Sequence, residues 1–288
     1  GGCAKLRVSL GLQRTVFPVH MAPSLLDRAT ESRDALSYSE AIRRFSELLM
    51  AHRPPHGRTL LYACGQVDLF AIFAFQEVFR LLGVRNLAGN AEHCLNAGAV
   101  HNEILTGQEG PFLTLEQGLD GPDRFYLLNG WNGFVTHPPA FNRIMKRQGL
   151  DAWLVEVAET ESARILARRL GEDRVLLIRS GGDPHLALAV AHEVLAHHPE
   201  AIERRFVDRY ADVATFEAYA VLARSERFAP AAVAARIAPE PGLVARLERG
   251  IKGIAERIAR PGVVPINIPS VGLSQTKGVV AHCLWGSL

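Results

Sequence analysis

The sequence predicts an α/β protein of two lobes with parallel Rossmann-like sheets, the first lobe discontinuous in sequence. Three observations carry this. Apolar strand-like runs ("RTLLYACG", "FYLLNGWN", "AWLVEVA", "RVLLIRS") alternate with segments of helical periodicity. A chain of 288 residues can bury enough surface for two lobes. Finally, the extended run "GVVPINIPSVGLSQ" follows a stretch, from about residue 199 to 260, that reads as helix throughout. A strand after a long helical insertion marks a lobe that begins, is interrupted and resumes. The expected division is 1–56 as an N-terminal segment, 57–120 with 263–288 as the first lobe, and 121–262 as the inserted second lobe.

Taken in order, the first 36 residues show no regular period. Then "SYSEAIRRFSELLMAHR" places Ser37 and Glu40 at capping-box spacing ahead of one apolar stripe, Ile42, Phe45, Leu48 and Leu49. Pro54 and Pro55 end that helix. "RTLLYACG" reads as a buried strand, 67–82 as an apolar helix closed by Gly83, and Val84 to Leu87 as another strand-like run.

Composition excludes several classes. Apolar content of 48% and charged content of 22% describe a globular chain. A net charge of +2, with basic and acidic residues interleaved, argues against nucleic acid as a partner. No apolar run reaches the roughly 18 residues of a membrane span, so a cytoplasmic location is expected, or a periplasmic one if a signal peptide has been lost. Four cysteines, Cys3, Cys64, Cys94 and Cys283, are too few for a disulfide scaffold and read as free thiols or ligands. The absence of an initial methionine reads as a piece of a longer polypeptide.

Ligands of open α/β sheets bind beyond the carboxyl ends of the strands. Polar or glycine-rich turns stand at four such ends: Cys64-Gly65-Gln66, Asn129-Gly130-Trp131-Asn132, Glu156 to Glu161, and Ser180-Gly181-Gly182-Asp183. Glycines admit a phosphate to the backbone, and a following helix offers free N–H groups. A nucleotide-like ligand fits this series, although neither G-x-G-x-x-G nor a P-loop is present. "AHEVLAHH" does not make a zinc site. His192 and His197 lie about 140° apart round a helix, and this stretch reads as a solvated helix end. No G-x-S-x-G elbow is present. Cys94, between a histidine and an asparagine in "GNAEHCLNAG", can be a thiolate ligand, a nucleophile or a bystander.

Taken together, these pieces resemble the molybdopterin oxidoreductases, the family of formate dehydrogenases and nitrate reductases. "GGCAKLR" is similar to the end of that family's iron–sulfur motif, "ALSYSEAI" to a helix start, and "GQ" with "FRLLGVRNLAGNAEHC" to the approach to the metal ligand. "LLNGWNGFVTHPP" and "LIRSGGDPHLALA" resemble the two stretches that line a guanine dinucleotide. "RRFVDRYADVATFEAYA" and the run after it resemble the inserted lobe's helices, and "GLSQTKGVVA" the return segment. The match runs in order along almost the whole chain.

The resemblance implies a two-electron oxidoreductase acting on a small nitrate- or formate-like substrate, inactive as this piece alone. Its cofactor would be bis-molybdopterin guanine dinucleotide with molybdenum or tungsten, and one [4Fe–4S] cluster if Cys3 ligates it. Cys94 would be the metal ligand, with His93 beside it as the second catalytic candidate. Cofactor-binding residues would be Gly65, Gln66, Asn129, Gly130, Asn132, His137, Glu156, Gly182, Asp183, Gln275, Lys277 and Gly278. Lys5 would stand between cluster and pterin. An electron-transfer subunit or redox carrier is the expected partner. A soft thiolate suits a metal already bound by dithiolenes. The sequence also departs from the family: "VEVAETES" replaces "vDPR-x-T", Gly181-Gly182 replaces Pro-Gly, and Leu95 stands where formate dehydrogenases carry histidine. The alternative reading is a cofactor-free structural subunit of a larger complex.

Overall fold

The computed structural model describes residues 38–63, 67–89, 96–108, 115–119, 121–273 and 277–288. The chain forms two compact units, Gly1–His93 and Cys94–Leu288. Both carry parallel strands, so the protein is mixed α/β with two parallel sheets.

In the first unit, α1 (Tyr38–His52) precedes β1 (Leu60–Ala63), α2 (Leu69–Leu81) and β2 (Asn86–Gly89). β1 and β2 pair in parallel, Leu60 opposite Asn86. Asp68 caps α2, its carboxylate accepting from the Ala71 N–H at 2.9 Å. The far end closes as the sequence predicts. Gly83 takes a φ of 79°, its N–H donates to Arg80, and Val84 N–H reaches back to Phe79 O at 2.9 Å. Phe79 and Val84 are both buried at that turn. This closure consumes Val84, so the strand starts at Asn86, two residues later than the apolar run implies.

The second unit opens with α3 (Asn96–Thr106) and α4 (Leu115–Leu119), followed by β3 (Arg124–Asn129), α5 (Gly133–Thr136), α6 (Pro138–Met145) and β4 (Asp151–Glu156). Then come α7 (Glu161–Leu170), β5 (Val175–Leu177) and α8 (Asp183–His197). A helical stretch follows: α9 (Arg204–Tyr210), α10 (Val213–Ala223), α11 (Pro230–Ile237) and α12 (Val244–Ala259). β6 (Val264–Pro269) and α13 (Gly278–Gly286) close the chain.

The four strands lie in the order β5-β4-β3-β6, all parallel. β3 and β4 are buried from their second residue on, as strands covered on both faces must be. Alternation sorts their side chains. Phe125, Leu127, Trp153, Val155 and Leu176 enter one core with α8, α10, α11 and α12, while Tyr126, Leu128, Ala152, Leu154 and Val175 enter the other with α6 and α7.

Two expectations need correction. The extended run 263–269, assigned by its lateness to the first lobe, instead forms β6 on the outer edge of β3, with Arg124 opposite Val264 and Asn129 opposite Pro269. The physical reason is that β3 is a buried strand whose second edge needs hydrogen-bonding partners. β6 supplies them while presenting two prolines, which suit an edge position. His192, expected on a solvated helix end, is buried, with Nδ1 2.9 Å from the Ala223 carbonyl. Only His197, further along α8, is largely exposed. Among the described residues, no helix is long and apolar enough to cross a membrane.

Candidate functional site

The strand order reverses between β3 and β6: the chain steps outward from β3 through β4 to β5, then returns to the other side of β3. In parallel sheets such a reversal leaves a crevice at the carboxyl ends of the two strands, because the connections leave on opposite faces. Here that point is built from backbone. Gly130 leaves β3 with a φ of 58° and donates its N–H to Val155 O at 2.9 Å. Ser270, after β6, donates to Asn129 O at 3.0 Å. Gly130 and Gly272 then meet backbone to backbone: a Cβ on Gly272 would lie 2.6 Å from the Gly130 Cα. No other residue type fits either place without moving the chain.

Asn129 is fully buried, and its Nδ2 donates to Asn267 Oδ1 at 2.6 Å. Its own Oδ1 is buried without a partner among the described residues. By alternation Asn129 shares the face of Phe125 and Leu127, whereas Glu156 follows Ala152 and Leu154 to the other. Alternation thus separates Asn129 from Glu156, against the expectation that Asn129, Glu156 and Asp183 open onto one concavity.

Glu156 ends β4, and Asp183 opens α8 after β5. Both are buried, and no cation pairs with either among the described residues. Burial, the dominant effect, pushes the Glu156 carboxyl up to about 7, the Val157 N–H opposes this, and the nearby Asp183 adds to it. Burial likewise raises Asp183 to about 6, against its own backbone N–H and the favourable helix N-terminus. Both are thus desolvated acids raised toward neutrality, with Asp183 adding a smaller repulsion at Glu156. Gly182 carries the approach to Asp183: a Cβ there would lie 2.9 Å from Arg179 O and 3.2 Å from Ile237 Cβ.

The other described candidates are occupied differently. Asn132 bridges elements, donating to Glu161 Oε2 at 3.0 Å and accepting from Ser162 Oγ at 2.9 Å. His137 Nδ1 accepts from Trp131 Nε1 at 3.1 Å, which leaves its proton on Nε2. Asn132 thus holds the β3–α5 turn against α7, and His137 braces the turn through Trp131. Lys277 takes a left-handed φ of 68° ahead of α13, and Gly278 is packed so that a Cβ would meet Leu273 O at 2.8 Å. Lys277 and Arg236 both lower the His185 pKa, secondary to burial. Cys94, His93, Gly65, Gln66, Gln275, Lys5 and Cys3 lie outside the described residues.

Sequence reasoning missed Asn267 and the role of Gly272. Nothing local marks Asn267, because its partner lies 138 residues away. No protein-family model matches the chain, and no curated protein matches it.

Proposed function

We propose that the chain is the central part of a molybdopterin-dependent oxidoreductase, with a Rossmann-like second lobe whose carboxyl edge takes the guanine nucleotide end of the cofactor. One observation carries the reading: a buried pair of acids, Glu156 and Asp183, with no cation beside it among the described residues, stands at the carboxyl edge of a parallel sheet whose strand order reverses there. A guanine presents N1–H and an exocyclic amine, two adjacent donors that a carboxylate accepts together. A desolvated carboxyl gains from such a ligand, since the new hydrogen bonds replace lost water.

The described residues fit the nucleotide half of the group. Gly130, Gly182 and Gly272 keep side chains away from the backbone where a phosphate or ribose approaches, and Asn129 Oδ1 awaits a donor. By the resemblance, Cys94 is the residue that would hold the metal. When bound, the dithiolene-held metal supplies the two-electron redox chemistry. The protein's part is to hold and orient the group and to keep the acid pair dry. A small oxyanion or formate-like substrate and an electron-transfer partner belong to this reading.

A second reading, a cofactor-free structural subunit, is favoured by the β4–α7 turn. There Thr160 is occupied as the cap of α7, accepting from Ala163 N at 3.2 Å, and no arginine follows Glu156 before it. Metal and nucleotide analysis of the full-length protein, produced with molybdate or tungstate, separates the two. The oxidoreductase reading expects bound molybdenum or tungsten with guanine nucleotide released on denaturation, both reduced in Glu156→Gln/Asp183→Asn and turnover lost in Cys94→Ala. Full-length protein that folds but carries neither metal nor guanine nucleotide overturns it.

A further inference from the structure

At the opposite edge of the same sheet, the loops entering β3, β4 and β6 enclose a cleft of about 560 Å³. Four guanidinium groups line it, Arg124, Arg147, Arg257 and Arg260, against two carboxylates, Asp123 and Asp151. Asp151 is already shared. It pairs with Arg257 and also accepts from Arg174 at 2.9 Å, so one negative charge faces two positive ones.

Arg147 is fixed by neutral groups: Nη1 donates to Leu119 O at 2.7 Å and Nη2 to Gly121 O at 2.5 Å. Its charge is held in place but not neutralised. Arg124 packs on the same turn, where a Cβ on Gly121 would lie 2.9 Å from its Nε. Arg257 keeps a buried Nε with no partner. Arg260 makes no ion pair or hydrogen bond through its side chain among the described residues.

Converging, immobilised like charges cost free energy unless an anion joins them. Guanidinium forks match phosphate oxygens in pairs, and a cleft of this volume exceeds a single phosphate and lies in the range of small-molecule sites. We propose that this amino-edge cleft binds an oligophosphate, either inorganic pyrophosphate or the phosphate chain of a free nucleotide. The site is separate from the carboxyl-edge acids, because the strands run between them.

The test is calorimetric titration of the full-length protein with pyrophosphate, ATP and sulfate at constant ionic strength, alongside Arg260→Glu, Arg260→Ala and Glu156→Gln. Saturable pyrophosphate binding, weakened at least tenfold by Arg260→Glu and less by Arg260→Ala, is expected. Glu156→Gln should leave it unchanged. ATP binding more tightly than pyrophosphate identifies a nucleotide as the natural ligand, and equal affinity an inorganic oligophosphate. Absence of saturable binding overturns the proposal, as does an affinity that Arg260→Glu leaves intact while its unfolding transition matches the parent, or sulfate binding as tightly as pyrophosphate. Metal and guanine nucleotide content of the Arg260 variants should equal that of the parent, so failure here is distinguishable from failure of the oxidoreductase reading.

Discussion

The two edges of the four-stranded sheet solve opposite electrostatic problems. At the carboxyl edge, Glu156 and Asp183 are buried without a cation among the described residues and hold their protons toward neutrality. At the amino edge, Asp151 is nearly as enclosed, and Arg174 and Arg257 flank it. The two enclosed acid sites of one sheet thus differ in whether a guanidinium arrives with the carboxylate. The carboxyl edge leaves its acids without a guanidinium among the described residues, whereas the amino edge matches Asp151 and keeps further guanidinium groups in excess, so the two edges suit ligands of opposite kind.

The comparison can be broken most severely through the backbone that holds β3 and β6 together. Gly130→Val forces a β-branched residue into a left-handed φ, with its Cβ 2.8 Å from the Gly272 Cα. A loss of about 2–4 kcal/mol is expected in urea unfolding, and a neutral result would mean that the two glycines do not touch. Next in size is Asp151→Ala. Removing the shared carboxylate strands Arg174 and Arg257, and should cost about 2–3 kcal/mol. If that variant is as stable as the parent, the amino edge is not internally matched.

Below these comes His282 on α13, stacked on His101 of α3 with ring centroids 5.0 Å apart. Burial, helped slightly by His101, lowers its pKa to about 4, and both of its ring nitrogens lack partners among the described residues. The unfolded chain binds the proton at about 6.5 and the folded one does not, so stability is full above that value and falls as pH drops toward 4. The parent should lose about 2 kcal/mol between pH 7 and pH 5 from this group, and His282→Phe should flatten that slope. A slope unchanged by the substitution would assign the acid sensitivity elsewhere.

The smallest effect is the one that separates the edges by sign. Burial raises the folded pKa of Glu156 to about 7 from the ordinary carboxylate value of 4.5. The folded state holds the proton more tightly, so stability is fullest below about 4.5 and declines as pH rises through 7. Glu156→Gln should thus stabilise by about 1–2 kcal/mol at pH 8, less than the whole shift because the amide remains desolvated, and by nothing below pH 4. An acid removed at one edge destabilises, and an acid removed at the other stabilises. Because His282 acts in the same pH window with the opposite slope, the comparison is cleanest in the His282→Phe background. Should Glu156→Gln destabilise at pH 8, the carboxyl edge is compensated after all.

Much of the frame was legible in the sequence, for identifiable reasons. β3, β4 and β5 are near-continuous apolar runs ending in polar or glycine-rich turns, and such runs have few other uses. The turns at Asn129-Gly130, Glu156 and Gly182-Asp183 follow directly, since strand ends set their places. The partner of β6 was not legible, because hydrogen bonding along an edge carries no side-chain signature. Nor was the facing of Asn129 against Glu156, which depends on where each strand stops. The arginine cleft was invisible for a similar reason. Its members are spread from Arg124 to Arg260 and converge only once three strands start at a common level.

The lateness of β6 also matters while the chain is being made. Asn129 and the Asn267 that completes it are separated by 138 residues, so at ordinary elongation rates on the order of ten seconds pass between the two leaving the ribosome. For that interval β3 has β4 on one side and an open row of amides and carbonyls on the other, an invitation to the nearest foreign strand. Translation past Pro269 therefore closes the sheet, and a nascent chain stalled within α12 would be the form most prone to aggregate.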